Sequence, residues 1–407
     1  MQSLLVAAVA GSSIITANAF SIPTYHQRDN SHGDLKSGFN NAIILPSVGG
    51  HATCIQGLIP ITASAQNYHL NYQGPANQTV ATETVVEFLQ VNTTLPLQVI
   101  GARTTVSGTW NINSKLCFPT SSGAPNASLV QFLTHGVGFD GSYWDFYSAD
   151  YSYVDNAALN GYTTFSYDRL GTGSSSHPDP IQVVQSPLQV AIAHELITKL
   201  RSGAIGSTTF SHVVGVGHSL GSELTNAITA QYPKDLDAAV LTGFSVETTG
   251  ISSFFSSLDL VPANTKTPSR FSTLPNGYLI TNSLAGNQFA FFRFPDFCPD
   301  VLSAANTASQ TFTIGELFTN SFFVSPAPLF TGPIDVVIGE NDLPFCQSNC
   351  LVPGNQAEVV RGALYPNANV AGSQVFVLEG AGHGLNLHYN AKEAYEHVFG
   401  FLRGNGF

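Results

Sequence analysis

The residues that could do chemistry begin in GVGHSLGSEL, residues 215–224. An apolar run, SHVVGVGH (211–218), leads straight into this stretch, and the helix-like TNAITAQYP follows it without a loop. A serine hydroxyl is a poor nucleophile at neutral pH unless a base takes its proton. A sharp strand-to-helix turn presents such a hydroxyl at a strand end, and flanking glycines let backbone approach a residue held in a strained conformation. The helix that starts there adds its N-terminal dipole near developing negative charge. Gly217-His218-Ser219-Leu220-Gly221 has this composition and context, so Ser219 is the candidate nucleophile. The plainer alternative is a glycine-rich strand–helix turn without chemistry. A catalytic Ser219 needs a base, an acid and a site for an oxyanion.

Two more segments place suitable side chains after apolar runs. His383 follows QVFVLEG (374–380) in Gly380-Ala381-Gly382-His383-Gly384, whose small residues leave room for an imidazole. Asp342 follows IDVVIG (334–339). Loop histidines and aspartates are commonly only solvated, and the chain has 12 histidines. Among them His218 adjoins the nucleophile and should point away from its hydroxyl, while His388 lies later, toward the last helix.

The elements that must position these groups alternate along the chain. Residues 20–53 read as a polar lead-in without periodic pattern, and from about 54 to 118 short β-like runs such as TETVVEFLQV alternate with turns. LVQFLTHG (129–136) and TTFSYD (163–168) are apolar strands opening into glycine-rich loops. SPLQVAIAHELITKLRSG predicts a helix with Ser186 as N-cap, Pro187 at its first position and Gly203 closing it. Its core stripe is Leu188, Ile192, Leu196 and Leu200. DAAVLTGF (237–244) is a further strand, and a last helix starts near Asn390, whose side chain can cap while Glu393 reaches back. Strands spaced by helices imply a mostly parallel sheet in a three-layer α/β fold. Residues 248–330 are too long for a crossover and read as an inserted cap rich in phenylalanine, FFRFPDF (291–297) among them. Most of those rings should form the cap's own core, leaving a few to face a substrate.

Composition bounds the class. With 407 residues, 43% of them hydrophobic and 11% aromatic, the chain can bury a large core. The formal charge is −12, from 14 Lys+Arg against 26 Asp+Glu, and no basic cluster is present to neutralise phosphates, which argues against nucleic acid as a partner. SLLVAAVAGSSIITANAF (3–20) has signal-peptide length and ends in the small-x-small site Ala17-Asn18-Ala19, although Met1-Gln2-Ser3 brings no basic side chain. Cleavage after Ala19 and secretion are expected. No later stretch approaches the ~20 apolar residues of a membrane span. Three sequons, at Asn77, Asn92 and Asn126, are glycosylation candidates on that route. Five cysteines, Cys54, Cys117, Cys298, Cys346 and Cys350, suit two bridges and one free thiol. Cys54 pairs best with Cys117, since both lie in the β-rich N-terminal part; Cys346 or Cys350 could bridge to Cys298 and tie the cap to the acid's loop. No metal-ligand spacing is present and no cofactor is implied.

Over residues 125–404 the chain resembles the α/β-hydrolase family. The resemblance is carried by THGVGFDGSYWDF (134–146), YDRLGTGSS (167–175), GHSLG (217–221), VVIGENDLPF (336–345) and EGAGHGLN (379–386). It implies an α/β-hydrolase fold: a mostly parallel central sheet flanked by helices, with the cap inserted between strands 6 and 7. The core would then occupy 54–247, including the N-terminal β strands, and 331–407. The family's chain order of nucleophile, acid and base points to Ser219, Asp342 and His383. Asp335 lies inside its strand, Glu340 comes too early, and Glu247 occupies the acid position that some members use. The oxyanion would meet the backbone N–H groups of Leu220 and, from the His135-Gly136-Val137 loop, Val137; His135 would buttress that loop. Asp168 and Arg169 match the family's structural loop and are expected to pack and form salt bridges. The function implied is a secreted, fungal-type serine esterase or lipase acting on a small-molecule or lipid ester or lactone. A peptidase or a hydroxynitrile-lyase-type enzyme of the same fold also fits, and the alternative class is a non-catalytic binding protein on the same scaffold.

Overall fold

The computed structural model describes residues 34–121, 128–320 and 323–407. The signal-peptide expectation, most of the residues before Asn40 and the Asn126 sequon lie outside the described residues. Among those described, nine strands form one sheet in the order β1-β2-β3-β5-β4-β6-β7-β11-β12. They are β1 Asn40–Pro46, β2 Ala52–Leu70, β3 Ile100–Pro119, β4 Leu129–Thr134, β5 Thr163–Tyr167, β6 His212–His218, β7 Ala238–Thr242, β11 Ile334–Gly339 and β12 Gln374–Leu378. A second, small sheet joins β8 Val261–Pro262, β9 Tyr278–Ile280 and β10 Phe312–Thr313.

The six strands from β5 to β12 in the main sheet pair in parallel. LVQFLT, AAVLT and IDVVIG are buried at every position, as strands covered on both faces must be. The chain passes from β4 to β5 on one side and then crosses back to β6 on the other, so the winding direction reverses between β4 and β6. Open α/β sheets bind ligands outside the carboxyl ends of the strands at such a reversal. The oxyanion-loop candidate leaves β4 there, and Ser219 leaves β6.

The N-terminal region departs from its sequence reading. Residues 40–46 of the expected lead-in form β1, an edge strand with Ile43 and Ile44 exposed. The expected short β runs are instead two antiparallel strands of 19 and 20 residues, β2 and β3. TETVVEFLQV belongs mostly to a helix, Gln78–Leu89, capped by the Asn77 side chain on the Val80 N–H and burying Ala81, Thr84 and Val85. The helix after β5 is Ser186–Ser202, so Ser186 is already helical and Gln185 stands at the cap; Gly203 ends it at φ 75°. Asn390 precedes the last helix, Ala391–Gly404, without side-chain capping, because its amide donates to the Glu379 carbonyl.

Residues 248–330 leave after β7 and return at β11, which are neighbours in the sheet. Counted in chain order these are the seventh and eighth strands of the sheet, residues 40–119 supplying three. The insertion therefore costs the sheet no pairing. Cys54 faces Cys117 across the β2–β3 ladder and bridges to it. Cys346 bridges to Cys350 within its own loop, and Cys298 is a free thiol. The expected bridge from cap to acid loop is thus absent, and the local bridge only tightens the turn that follows Asp342.

The two bridges close loops of very different length, with separations of 63 and 4 residues. Chain-entropy scaling gives about 4 kcal/mol for the first and about 2 kcal/mol for the second. Denaturant unfolding of Cys54→Ala/Cys117→Ala should therefore show a larger stability loss than Cys346→Ala/Cys350→Ala.

Candidate active site

Ser219 caps the helix Leu220–Gln231 at φ 56° and ψ −121°, a region that non-glycine residues occupy only when their surroundings over-determine them. The constraint is visible. The Ser219 N–H donates to the Thr242 carbonyl on β7 at 2.9 Å, extending the sheet ladder into the elbow. The adjacent glycines are obligatory for space. A Cβ on Gly217 would sit 2.3 Å from the Gly221 carbonyl oxygen, and one on Gly221 would sit 2.0 Å from that of Thr134.

Three distant segments meet at this point. The Nε2 of His383 lies 2.8 Å from the Ser219 Oγ, and its Nδ1 lies 2.6 Å from the Asp342 Oδ2. Both His383 and Asp342 are fully buried, and Ser219 is 7% exposed. The other carboxylate oxygen of Asp342 accepts from the Phe345 N–H at 3.1 Å. Asp342 therefore requires Nδ1 of His383 to carry the proton, which leaves Nε2 free to accept from the serine. Asp335 bonds instead to His397, and Glu247 accepts from the N–H groups of Thr248 and Thr249. The acid and base loops run side by side, joined by the Asn341 N–H on the Ala381 carbonyl at 2.9 Å.

The oxyanion candidates sit around the same hydroxyl. Leu220 and Val137 donate their N–H groups to nothing among the described residues. A Cβ on Gly136 would lie 2.9 Å from the Ser219 Cβ, which puts this loop against the nucleophile. His135 does buttress the loop. Its Nδ1 donates to the Gly136 carbonyl at 2.9 Å while its Nε2 accepts from the Arg169 N–H at 3.0 Å. Burial holds its pKa well below the usual imidazole value, with Arg169 adding to the effect, so the ring is neutral. Asp168 accepts from Gly141, Ser174 and Asn113, fixing the two loops on either side of β5.

His218 also stays neutral, chiefly through burial. Thr242 Oγ1 donates to the Gly217 carbonyl, so His218 Nδ1 donates to that hydroxyl at 3.2 Å. The ring stacks on Tyr143 at 4.5 Å and forms a wall beside His383.

The cap reaches over the site with Phe254 and Phe291, whose rings lie 5.6 and 5.9 Å from that of His383. It also grips the base's loop through the backbone: Gly384 N–H donates to the Phe291 carbonyl at 2.8 Å. His388 completes that grip, a role with no local sequence signal. Its Nε2 accepts from the N–H groups of Gly382 and Arg293, both at 3.0 Å, and its Nδ1 donates to the Gly384 carbonyl at 2.9 Å. A cavity of about 10 Å³, room for one water molecule, lies between Phe139, Tyr143, Ala305, Ala308 and Leu387. Among the described residues no cluster of His, Cys, Asp and Glu could hold a metal. No helix there is long and apolar enough to cross a membrane.

The arrangement sets a serine hydroxyl, an imidazole and a buried carboxylate in one hydrogen-bonded line at the ends of a parallel α/β sheet. The model of the alpha/beta hydrolase family matches residues 132–396, and the chain belongs to that family. No curated protein matches it in sequence. Solved structures that it resembles include a thermophilic esterase from Thermogutta terrifontis with malate bound, 14% identical over 73% of this chain and 94% of that one, at a TM-score of 0.48. An alpha/beta hydrolase fold protein from Chitinophaga pinensis is 15% identical over 72% and 93%, at 0.46. A serine hydrolase from Cycloclasticus zankles is 16% identical over 72% and 95%, at 0.45. None of these likenesses bears on the substrate.

The site contains its own acid sensitivity. Burial pushes the His388 pKa down from 6.5 to about 4. Between those values the unfolded chain binds the extra proton and the folded one does not, so stability from this group is present above pH 6.5 and is lost as pH falls toward 4. At 1.36 kcal/mol per unit the loss by pH 4.5 is roughly 2–3 kcal/mol. Urea unfolding at pH 7 and 4.5 should show this much extra acid loss in the wild type over His388→Gln.

Proposed function

We propose that the protein is a secreted serine hydrolase that cleaves a carboxylic ester or lactone through an acyl-enzyme. The observation that carries this reading is the continuous hydrogen-bonded line from the strained Ser219 through His383 to a buried Asp342. As Ser219 Oγ attacks the ester carbonyl carbon, His383 Nε2 takes its proton and Asp342 stabilises the imidazolium. The carbonyl oxygen becomes an oxyanion between the Leu220 and Val137 N–H groups. Collapse breaks the bond to the alcohol oxygen, and His383 returns its proton to that leaving group. A water molecule then repeats the sequence on the acyl-enzyme and releases the acid. A binding protein on this scaffold would have no use for an intact nucleophile, base and acid in bonding contact.

A lipid ester is the variant favoured by the cap surface. Phe289 and Phe294, at 64% and 75% exposure, flank the Phe291 that covers His383. Secretion is supported by the apolar leader with its small-x-small site and by the two disulfides, which persist in oxidising compartments.

A panel of short- and long-chain p-nitrophenyl esters should be hydrolysed by the wild type, with kcat reduced on the order of 10⁴–10⁶-fold in Ser219→Ala. A fluorophosphonate probe should label the wild type and leave Ser219→Ala unmodified. Folded wild-type protein that takes up no label would rule out the enzymatic reading.

A further inference from the structure

The donor assigned to Val137 belongs to the same peptide unit as the Gly136 carbonyl. In a planar trans peptide the C=O and N–H point in opposite directions. Whatever holds the Gly136 oxygen therefore aims the Val137 N–H. Two groups hold it: His135 Nδ1 at 2.9 Å and Arg169 Nη2 at 3.4 Å. Arg169 also orients His135, since its own backbone N–H occupies the other ring nitrogen.

The Arg169 guanidinium is in turn positioned from the cap. Its Nη1 donates to Gln189 Oε1 at 2.7 Å and pairs with Glu316 Oε1. Glu316 is saturated: Gln189 Nε2 donates to Oε1 at 2.7 Å, and the Thr313 N–H and hydroxyl reach Oε2 at 2.8 and 3.1 Å. The Thr313 N–H bond, together with the Glu316 N–H donating to Thr313 Oγ1 at 3.1 Å, forms the capping box of the cap helix Ile314–Thr319. Both charged side chains are sealed from solvent, at 0% and 1% exposure. A buried ion pair contributes little net stability over a well-packed apolar pair, so cohesion alone does not account for this one. A second tie joins the same loop to the cap, from the Gln310 N–H to the Gly138 carbonyl at 2.9 Å.

We propose that Arg169 and Glu316 are positioning residues for the oxyanion site: the core guanidinium, locked by a carboxylate of the seated cap, aims the Val137 N–H at the carbonyl under attack. This inference rests on the serine-hydrolase reading. It extends that reading by making oxyanion stabilisation conditional on how the cap sits, with the Ser219–His383–Asp342 line untouched.

The test compares Glu316→Gln with the double variant Arg169→Met/Glu316→Leu, which removes both charges and leaves no unpaired ion. On an ester accepted by the wild type, both should lose 10- to 100-fold in kcat with KM changed less than threefold. Affinity for a boronate that mimics the tetrahedral intermediate should fall by the same factor as kcat. The double variant should keep a cooperative melt near that of the wild type, so that a merely structural pair predicts recovered activity where the positioning role predicts continued loss. Wild-type kcat and boronate affinity in a folded double variant would overturn the proposal. Inactive wild-type protein would instead overturn the hydrolase reading. The inference then stands or falls on the Val137 amide signal of ¹⁵N-valine-labelled protein, which must shift or exchange faster in the variants.

Discussion

A serine held at φ 56° stores strain on the order of 1–3 kcal/mol, and much of the surrounding structure serves to keep it there. The sheet contributes first, by running its hydrogen-bond ladder from β7 into the Ser219 N–H. Two glycines contribute next, by admitting carbonyl oxygens into space that any side chain would fill. The reversal of winding between β4 and β6 then brings the Gly136 peptide against the nucleophile. The hydroxyl is consequently fixed in place by the fold itself, before anything binds.

The base and acid are held by different means. Asp342 and His383 leave neighbouring strands, β11 and β12, and their loops bond to one another. The imidazole has no rigid element of its own. Its loop depends on His388, on the Phe291 carbonyl and on two overlying phenylalanine rings. The core thus fixes the nucleophile, while core and cap together fix the base.

What could be read from the amino-acid order follows the same division. Strands buried on both faces write themselves as continuous apolar runs, so β4, β6, β7 and β11 were legible, and with them the ends from which Ser219 and Asp342 emerge. β1 was not, because an exposed edge needs no alternation and Ile43 and Ile44 are adjacent. The helix Gln78–Leu89 was obscured by its β-branched residues; the three- and four-residue spacing of Ala81, Thr84 and Val85, together with the Asn77 cap, was the signal to weigh. Glu316 carries a local mark only as the capping-box partner of Thr313; its pairing with Arg169 spans 147 residues and the His388 bond to Arg293 spans 95, so neither of these roles is marked locally. Cys346 is the opposite case, since its partner Cys350 lies only four residues away.

The inserted segment is woven into the site beneath it rather than laid over it. It supplies Glu316, the Phe291 carbonyl, the Arg293 N–H and the Gln310 N–H, so wholesale replacement would dismantle the machinery beneath it. Ala305 and Ala308, by contrast, only line the small cavity beside Tyr143 and carry none of these bonds.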